Sequence, residues 1–350
     1  VYGQQEESIN YSDSPDISLP SSVLDHLFFP ETADATADKI VDQVAAALNA
    51  GKHIIFTGPP GTGKTEIAQQ IARYLSKQHP EIFTGHQTTT ATADWSTFDT
   101  VGGYMPEGNG GESLKFKPGQ ILRCFKQNGR QQNELLIIDE INRSDIDKSF
   151  GQLFTLLSGQ EIQLPFTAEG KAVEVYPAEM APSSLSPHQY VVPSSWRLLA
   201  TMNSYDKTSL YEMSYAFMRR FSFIHIDAPK IPEDEKERRQ LLNQYLSVWD
   251  ETVEQAVVDA IGDIWYITNT VVDHRKIGPA IVKDMLGQVS NSTAPLEQAV
   301  TRAVTSYVFP QLEGVQRRQQ IVSQLASAEN VDSDRLRDLA EEILRVEIDG

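Results

Sequence analysis

The residues best suited to chemistry lie in one stretch, Gly58, Pro59, Pro60, Gly61, Thr62, Gly63, Lys64, Thr65 and Glu66. It reads Gly-x-x-x-x-Gly-Lys-Thr, follows the apolar run Ile54-Ile55-Phe56 and precedes a helical pattern. A strand that delivers the chain to a glycine loop, with a helix starting behind it, makes an anion cradle. The first helical N–H groups are unpaired there and the macrodipole is positive. Pro59 and Pro60 carry no N–H, so the cradle must come mainly from the amides of Gly61 through Thr65. Lys64 is placed to reach the β/γ-phosphates of a nucleoside triphosphate, and the Thr65 hydroxyl to ligate Mg2+. The plainer alternative is a glycine turn before a helix; strand, Lys-Thr pair and helix together favour phosphate binding.

A second group of candidates ends the run Glu134-Leu135-Leu136-Ile137-Ile138-Asp139-Glu140. Continuous apolar residues mark a strand buried on both faces, as at the centre of a parallel sheet, and open α/β sheets bind ligands at the C-terminal ends of their strands. Asp139 suits the water shell of Mg2+, and Glu140 suits a general base that polarises an attacking water. Two acids could also simply terminate a strand, a reading weakened by the phosphate loop upstream. Asn203 ends another apolar strand, Arg197–Met202, where its amide would hold the water or the γ-phosphate, or else cap a turn. Arg219 and Arg220 precede the alternating strand Ser222–Asp227. Such a pair is either surface charge or, in a ring, directed at a neighbour's γ-phosphate.

The elements that must position these groups follow in order. Residues 1 to about 35 are polar and irregular and read as a linker or tether. Ile40, Val44 and Leu48 mark a helix that Gly51 stops. The strand His53–Thr57, the loop, and a helix with Ile67, Ile71, Tyr74 and Leu75 on one face come next. A threonine-rich strand is expected at Gln87–Ala91. An insertion over about 92–118 carries aromatic and basic residues towards a glycine-rich tip. Phe150, Phe154 and Leu157 mark a helix. Glu161–Leu164 and Ala172–Val175 flank Glu169-Gly170 as a hairpin within an insertion over about 160–178, and 177–193 reads as loop. Past Pro229 and Pro232 the pattern is helical, with Leu242, Leu246, Trp249 and Val253 on one stripe and Pro279 opening another helix.

At 350 residues with 40% hydrophobic and 22% charged content, the chain is long enough for two cored domains of ordinary globular composition. Cys124 is the only cysteine, which excludes an internal disulfide framework and a cysteine zinc site and suggests a reducing, cytoplasmic setting. No apolar run approaches a membrane span and no signal-peptide pattern opens the chain, so no membrane role is expected. It begins at Val1 and reads as a fragment of something longer. The formal charge of −18 argues against a generally basic nucleic-acid-binding surface but leaves room for a local basic path. The histidines are scattered without metal-ligand spacing, and no Gly-x-Ser-x-Gly elbow supports a hydrolase triad.

Taken together, these features resemble an AAA+ ATPase over about residues 36–345. Ile138-Asp139-Glu140-Ile141-Asn142-Arg143 is similar to the MoxR, McrB and dynein-related branch. Ser149–Leu153, Met202-Asn203-Ser204, Met218–Phe223 and Phe309–Leu312 are similar to its McrB-like group. The resemblance implies an α/β fold, an αβα sandwich on a parallel sheet of order 5-1-4-3-2 over 36–228, followed by a small α-helical lid over 229–350. It implies ATP or GTP with Mg2+ as ligands, Lys64 and Thr65 as Walker A, Asp139 and Glu140 as Walker B, and Asn203 as sensor 1. Arg219 or Arg220 would be a finger acting on the neighbour in a hexameric ring, and Arg143 would also face that neighbour. Arg275 is the candidate for sensor 2, against a plain surface arginine, because no arginine follows Gly278-Pro279 inside the lid helix. Both insertions would face the pore, with Lys115, Lys117 and Lys171 as candidates for DNA contact. The expected activity is an NTPase motor acting on nucleic acid with a nuclease or other effector. The alternatives are a MoxR-type chaperone with a von Willebrand factor A partner, and a nucleotide-gated scaffold, against which the intact Glu140 and arginine pair speak.

Overall fold

The structure, a computed structural model, describes residues 11–30, 36–106, 114–151, 153–156, 159–203, 213–271, 276–312, 315 and 317–346. Its contacts divide the chain into two compact units: Val1–Val23, Asp38–Thr57 and Thr65–Ile224 form the first, and Leu24–Ala37, Gly58–Lys64 and His225–Gly350 the second.

The first unit is built on a five-stranded sheet of β1 (His53–Gly58), β2 (Gly85–Thr90), β3 (Glu134–Asp139), β4 (Leu198–Asn203) and β5 (Phe221–His225). Their order across the sheet is β5-β1-β4-β3-β2, as the resemblance implied. β3 runs parallel to both neighbours, with Thr90 opposite Asp139 on one side and Ala200 opposite Ile138 on the other. Leu135 through Ile138 are fully buried, which is why the strand needs apolar residues on both faces. Helix α1 (Ala37–Asn49) buries Ile40, Val41, Val44 and Leu48, and α2 (Lys64–Gln78) buries Ile67, Ile71 and Leu75.

Both insertions are hairpins. Gly102–Pro106 pairs antiparallel with Leu114–Pro118, and Ile162–Ala168 with Lys171–Pro177, turning at Glu169 and Gly170. The structure differs from expectation in three places. Gln189–Val192, read as loop, is a strand parallel to Lys171–Pro177. Its Tyr190 and Val191 are buried, and the Lys126 ammonium ties the segment down through the carbonyls of Ser186, Pro187 and Gln189 at 2.8–3.1 Å. The helix expected through Phe150 breaks at Gly151, whose φ of 43° ends Ile146–Phe150 before Leu153–Leu156 begins; Leu157 lies outside the described residues. Thirdly, the stretch read as a tether is held in its described part. Ser194 N–H donates to Tyr11 O at 2.8 Å, and the Asn49 amide brackets the Ile17 backbone at 2.8 and 2.9 Å. Phe28 packs edge-on to Tyr245 in the second unit, with ring centroids 4.8 Å apart.

The second unit is helical: α3 (Glu235–Trp249), α4 (Gln255–Val271), α5 (Pro279–Ser290), α6 (Leu296–Ala303), α7 (Arg318–Ala326) and α8 (Ser333–Leu344). Leu242, Ile261, Ile264, Trp265, Met285, Val300, Phe309 and Leu336 form its core. Trp265 Nε1 and Asn269 Nδ2 both donate to Ile277 O at 3.0 Å, and Ile277 N–H donates to Asn269 Oδ1 at 2.8 Å. These bonds fix the turn from which Pro279 starts α5 at its first position.

Candidate active site

The glycine loop is shaped by close backbone approaches that exclude side chains. A Cβ on Gly58 would stand 2.0 Å from Ile226 O, and Gly61 and Gly63 have φ of 76° and 83°. Lys64 is buried, and its ammonium folds back to the carbonyls of Gly58 at 3.1 Å and Pro59 at 2.6 Å. The Thr62 hydroxyl donates to Pro59 O at 3.0 Å. The prolines lack an N–H, yet Pro60 still works through its carbonyl. Gly278 N–H donates to Pro60 O at 2.9 Å and Ala280 N–H to Gly61 O at 3.0 Å. A Cβ on Gly278 would meet the Gly61 carbonyl carbon at 2.3 Å, so this strap needs glycine on both sides. Glu66, on the first turn of α2, accepts from Gln70 Nε2 at 2.6 Å within its own helix.

In the first unit, five of the expected residues make side-chain contacts with one another: Thr65 with Asp139, and Glu140 with Asn203 and Arg143. Thr65 Oγ1 donates to Asp139 Oδ1 at 2.6 Å, although their positions are far apart in sequence. Asn203 Nδ2 donates to Glu140 Oε1 at 3.0 Å. Arg143 Nε pairs with Glu140 Oε2, so both carboxylate oxygens of Glu140 are held. The chain leaves β3 at Glu140 in a left-handed conformation, φ 51°, and enters the short helix Ile141–Arg143. A non-glycine residue there costs of order 1–3 kcal/mol, which the surrounding structure must over-determine. Part of that comes from Thr201, whose hydroxyl accepts from Glu140 N–H at 3.0 Å. Sequence reasoning did not single out Thr201; the signal available was the strand's two-residue period, which places it on the same face as Asn203.

Thr65 Oγ1 and Asp139 Oδ1 are adjacent hard oxygens, the donor set Mg2+ accepts when waters and substrate phosphates complete its octahedron. Among the described residues no cluster of His, Cys, Asp or Glu could hold a metal unaided. The Thr65 and Asp139 oxygens fit a cation delivered with a phosphate ligand.

The two arginines before β5 are not equivalent. Arg219 is exposed, and among the described residues its guanidinium has no hydrogen-bond or ion-pair partner; its backbone N–H donates to Tyr215 O at 3.1 Å and its carbonyl accepts from Lys52 Nζ at 2.9 Å. Arg220 is half-buried and donates to Ala216 O. Burial, then the charge of Arg219, pulls its pKa below the usual guanidinium range. Arg143, expected to face a neighbour, is bonded to Glu140 of its own chain with 58% of its side chain exposed. Arg275 lies outside the described residues.

The two hairpins are joined to each other. Tyr104 and Phe116 both pack on Phe166, and Tyr104 Oη accepts from Thr167 N–H at 2.8 Å and bonds Thr167 Oγ1 at 3.0 Å. Around this joint Leu114 is 60% exposed and Met105 38%, and Lys115, Lys117 and Lys171 are exposed. No helix among the described residues is long and apolar enough to cross a membrane.

The McrB subunit of the type IV methyl-directed restriction enzyme EcoKMcrB from Escherichia coli K12 is 32% identical over 211 residues, 58% of this chain and 40% of that protein. YdiS, a component of the type II restriction enzyme BsuMI from Bacillus subtilis, is 27% identical over 206 residues, 50% of this chain and 57% of that protein. The chain thus spans well under two thirds of either relative. A RuvB structure from Thermotoga maritima aligns with a TM-score of 0.38 at 14% identity, covering 85% of this chain and 83% of that one. The model of the AAA domain, dynein-related subfamily, matches residues 53–221, a span that runs from the start of β1 into β5 and takes in both acids of β3. Within that span the chain is similar to AAA domains of the dynein-related subfamily.

Proposed function

We propose that the chain hydrolyses a nucleoside triphosphate, ATP or GTP, within a hexameric ring of its own copies. The turnover would move or remodel nucleic acid as the McrB-like motor of a cytoplasmic restriction or defence system, with a nuclease or other effector as partner. The observation that carries this reading is the held carboxylate of Glu140, with Asn203 on one oxygen and Arg143 on the other. A base fixed in direction beside the Thr65–Asp139 pair suits in-line attack of water on a γ-phosphate. The nucleic-acid direction is supported by the names of the two relatives, both restriction enzyme components.

In this reading the amides of Gly61–Thr65 and the Lys64 ammonium bind the phosphates. Mg2+, when bound, would supply charge neutralisation to the phosphates. Thr65 and Asp139 hold its shell, Glu140 takes the proton of the attacking water, and Asn203 keeps that carboxylate aimed. Arg219 serves the neighbouring copy as its finger, because its guanidinium is exposed and, among the described residues, unengaged, while that of Arg220 is turned into its own chain.

The test is hydrolysis of ATP and of GTP with and without duplex and single-stranded DNA at low salt. DNA should raise turnover, and charge reversal of Lys115, Lys117 and Lys171 should remove the stimulation but leave basal turnover. Turnover indifferent to DNA would end the nucleic-acid reading. A second reading, a MoxR-type ATPase that remodels a protein, is favoured by the exposed Leu114 and Met105 at the hairpin joint and by the net charge of −18. Stimulation by unfolded polypeptide in place of DNA would select it.

A further inference from the structure

Thr201 belongs to none of the motifs above, yet its side chain touches both acids of the site. It lies near the end of β4, 1% exposed, two residues before Asn203. Its single hydroxyl proton goes to Asp139 Oδ1 at 2.5 Å, and its oxygen accepts Glu140 N–H at 3.0 Å. Asp139 Oδ1 therefore receives two hydroxyls, from Thr65 and Thr201, while among the described residues Oδ2 accepts none. Two donors on one oxygen fix the rotation of the carboxylate and leave the other oxygen available. The Glu140 N–H, turned out of the strand ladder by its left-handed backbone, has this hydroxyl as its acceptor. The β-branched threonine suits the task, since its χ1 is stiff in a strand.

We propose that Thr201 is a positioning residue for hydrolysis, one hydroxyl that both orients Asp139 towards a Mg2+–nucleotide and locks the turn that aims Glu140. The inference rests on the hydrolase reading for its consequence, but its geometry does not. Thr201→Val keeps the volume, removes the donor to Asp139 and leaves the Glu140 N–H without its acceptor. Thr201→Ser keeps the hydroxyl.

The experiment compares wild type, Thr201→Val and Thr201→Ser by three readouts. These are the Mg2+ dependence of affinity for a fluorescent non-hydrolysable nucleotide, kcat and KM for hydrolysis, and the thermal midpoint. Groups that orient metal ligands typically contribute about 10–100-fold, so the valine variant should need about 10–100-fold more Mg2+ to reach full affinity and lose kcat by a similar factor. Binding without Mg2+ should be unchanged, KM should move less than kcat, and serine should recover most of both losses. Thr201→Ala carries the same expectation if the valine variant fails to fold. A valine or alanine variant with wild-type Mg2+ dependence would overturn the inference. So would a serine variant as impaired as valine with the same drop in thermal midpoint, which would mark a packing role alone. If wild type hydrolyses nothing while Mg2+-dependent binding still weakens in the valine variant, the hydrolase reading fails and the positioning of Asp139 stands.

Discussion

The centre at Asp139 and Glu140 and the joint between the two hairpins are both made by residues distant in sequence, but opposite physics holds them. At the centre, hydroxyl, amide and guanidinium donors converge on two carboxylates at the end of a sheet, where burial makes an unmet polar group costly. At the joint, three aromatic rings and one tyrosine hydroxyl tie the hairpins together, while Leu114, Met105 and the lysines stay exposed. The first region is preorganised and should tolerate almost no change. The second presents a surface, so its substitutions should alter what the protein acts upon rather than whether it turns over.

The largest test of that contrast is Glu140→Gln. A positioned general base is worth about 10²–10⁴-fold, so turnover should fall by that factor with nucleotide affinity retained. Near-normal steady-state rates would remove Glu140 from the base role. Next in size is the scaffold beneath the centre. His53 at the start of β1 accepts Leu198 N–H at 3.0 Å and packs on Trp196 and Phe221. Burial, then the charges of Arg197, Arg220 and Lys52, depress its pKa to about 3, from a usual 6.5. The unfolded chain therefore binds the extra proton between those values, so this contribution to stability is complete above pH 6.5 and is lost as pH falls towards 3. The thermal midpoint of wild type should drop through that window more steeply than that of His53→Gln; parallel profiles would show that His53 titrates normally. The smallest effect belongs to the joint. Tyr104→Phe removes the hydroxyl that meets Thr167 and should cost about 1 kcal/mol in stability. Basal hydrolysis should be unchanged and the response to DNA or polypeptide blunted; a matching loss of basal turnover would mean the hairpins and the centre are one cooperative unit.

The contrast also explains what could be read in advance. The loop, the acidic pair and Asn203 follow from local spacing, because each marks the end of a buried strand and needs a particular residue type there, whereas the sheet order came from the resemblance to AAA+ ATPases. Thr201 was visible only as one more strand threonine; its two partners lie across β3, 61 and 62 positions away. The strap from Gly278 to the glycine loop, the strand Gln189–Val192 and the anchoring of Tyr11 and Ile17 were illegible for the same reason, since backbone hydrogen bonds between remote segments leave no periodic trace. The proposed choice of Arg219 over Arg220 rests on burial, which two adjacent identical residues cannot reveal by pattern.

The central claim, a base and magnesium centre completed by the next copy, is tested most directly by mixing. Lys64→Ala lacks the phosphate-binding ammonium but offers Arg219, and Arg219→Ala lacks the finger but keeps the loop and Glu140. Each alone should be nearly inactive, since an arginine finger is worth about 10³–10⁵-fold in kcat. Mixed, they should regain a measurable share of wild-type hydrolysis. A mixture as inactive as its parts, or an Arg219→Ala variant that is fully active alone, would contradict the account.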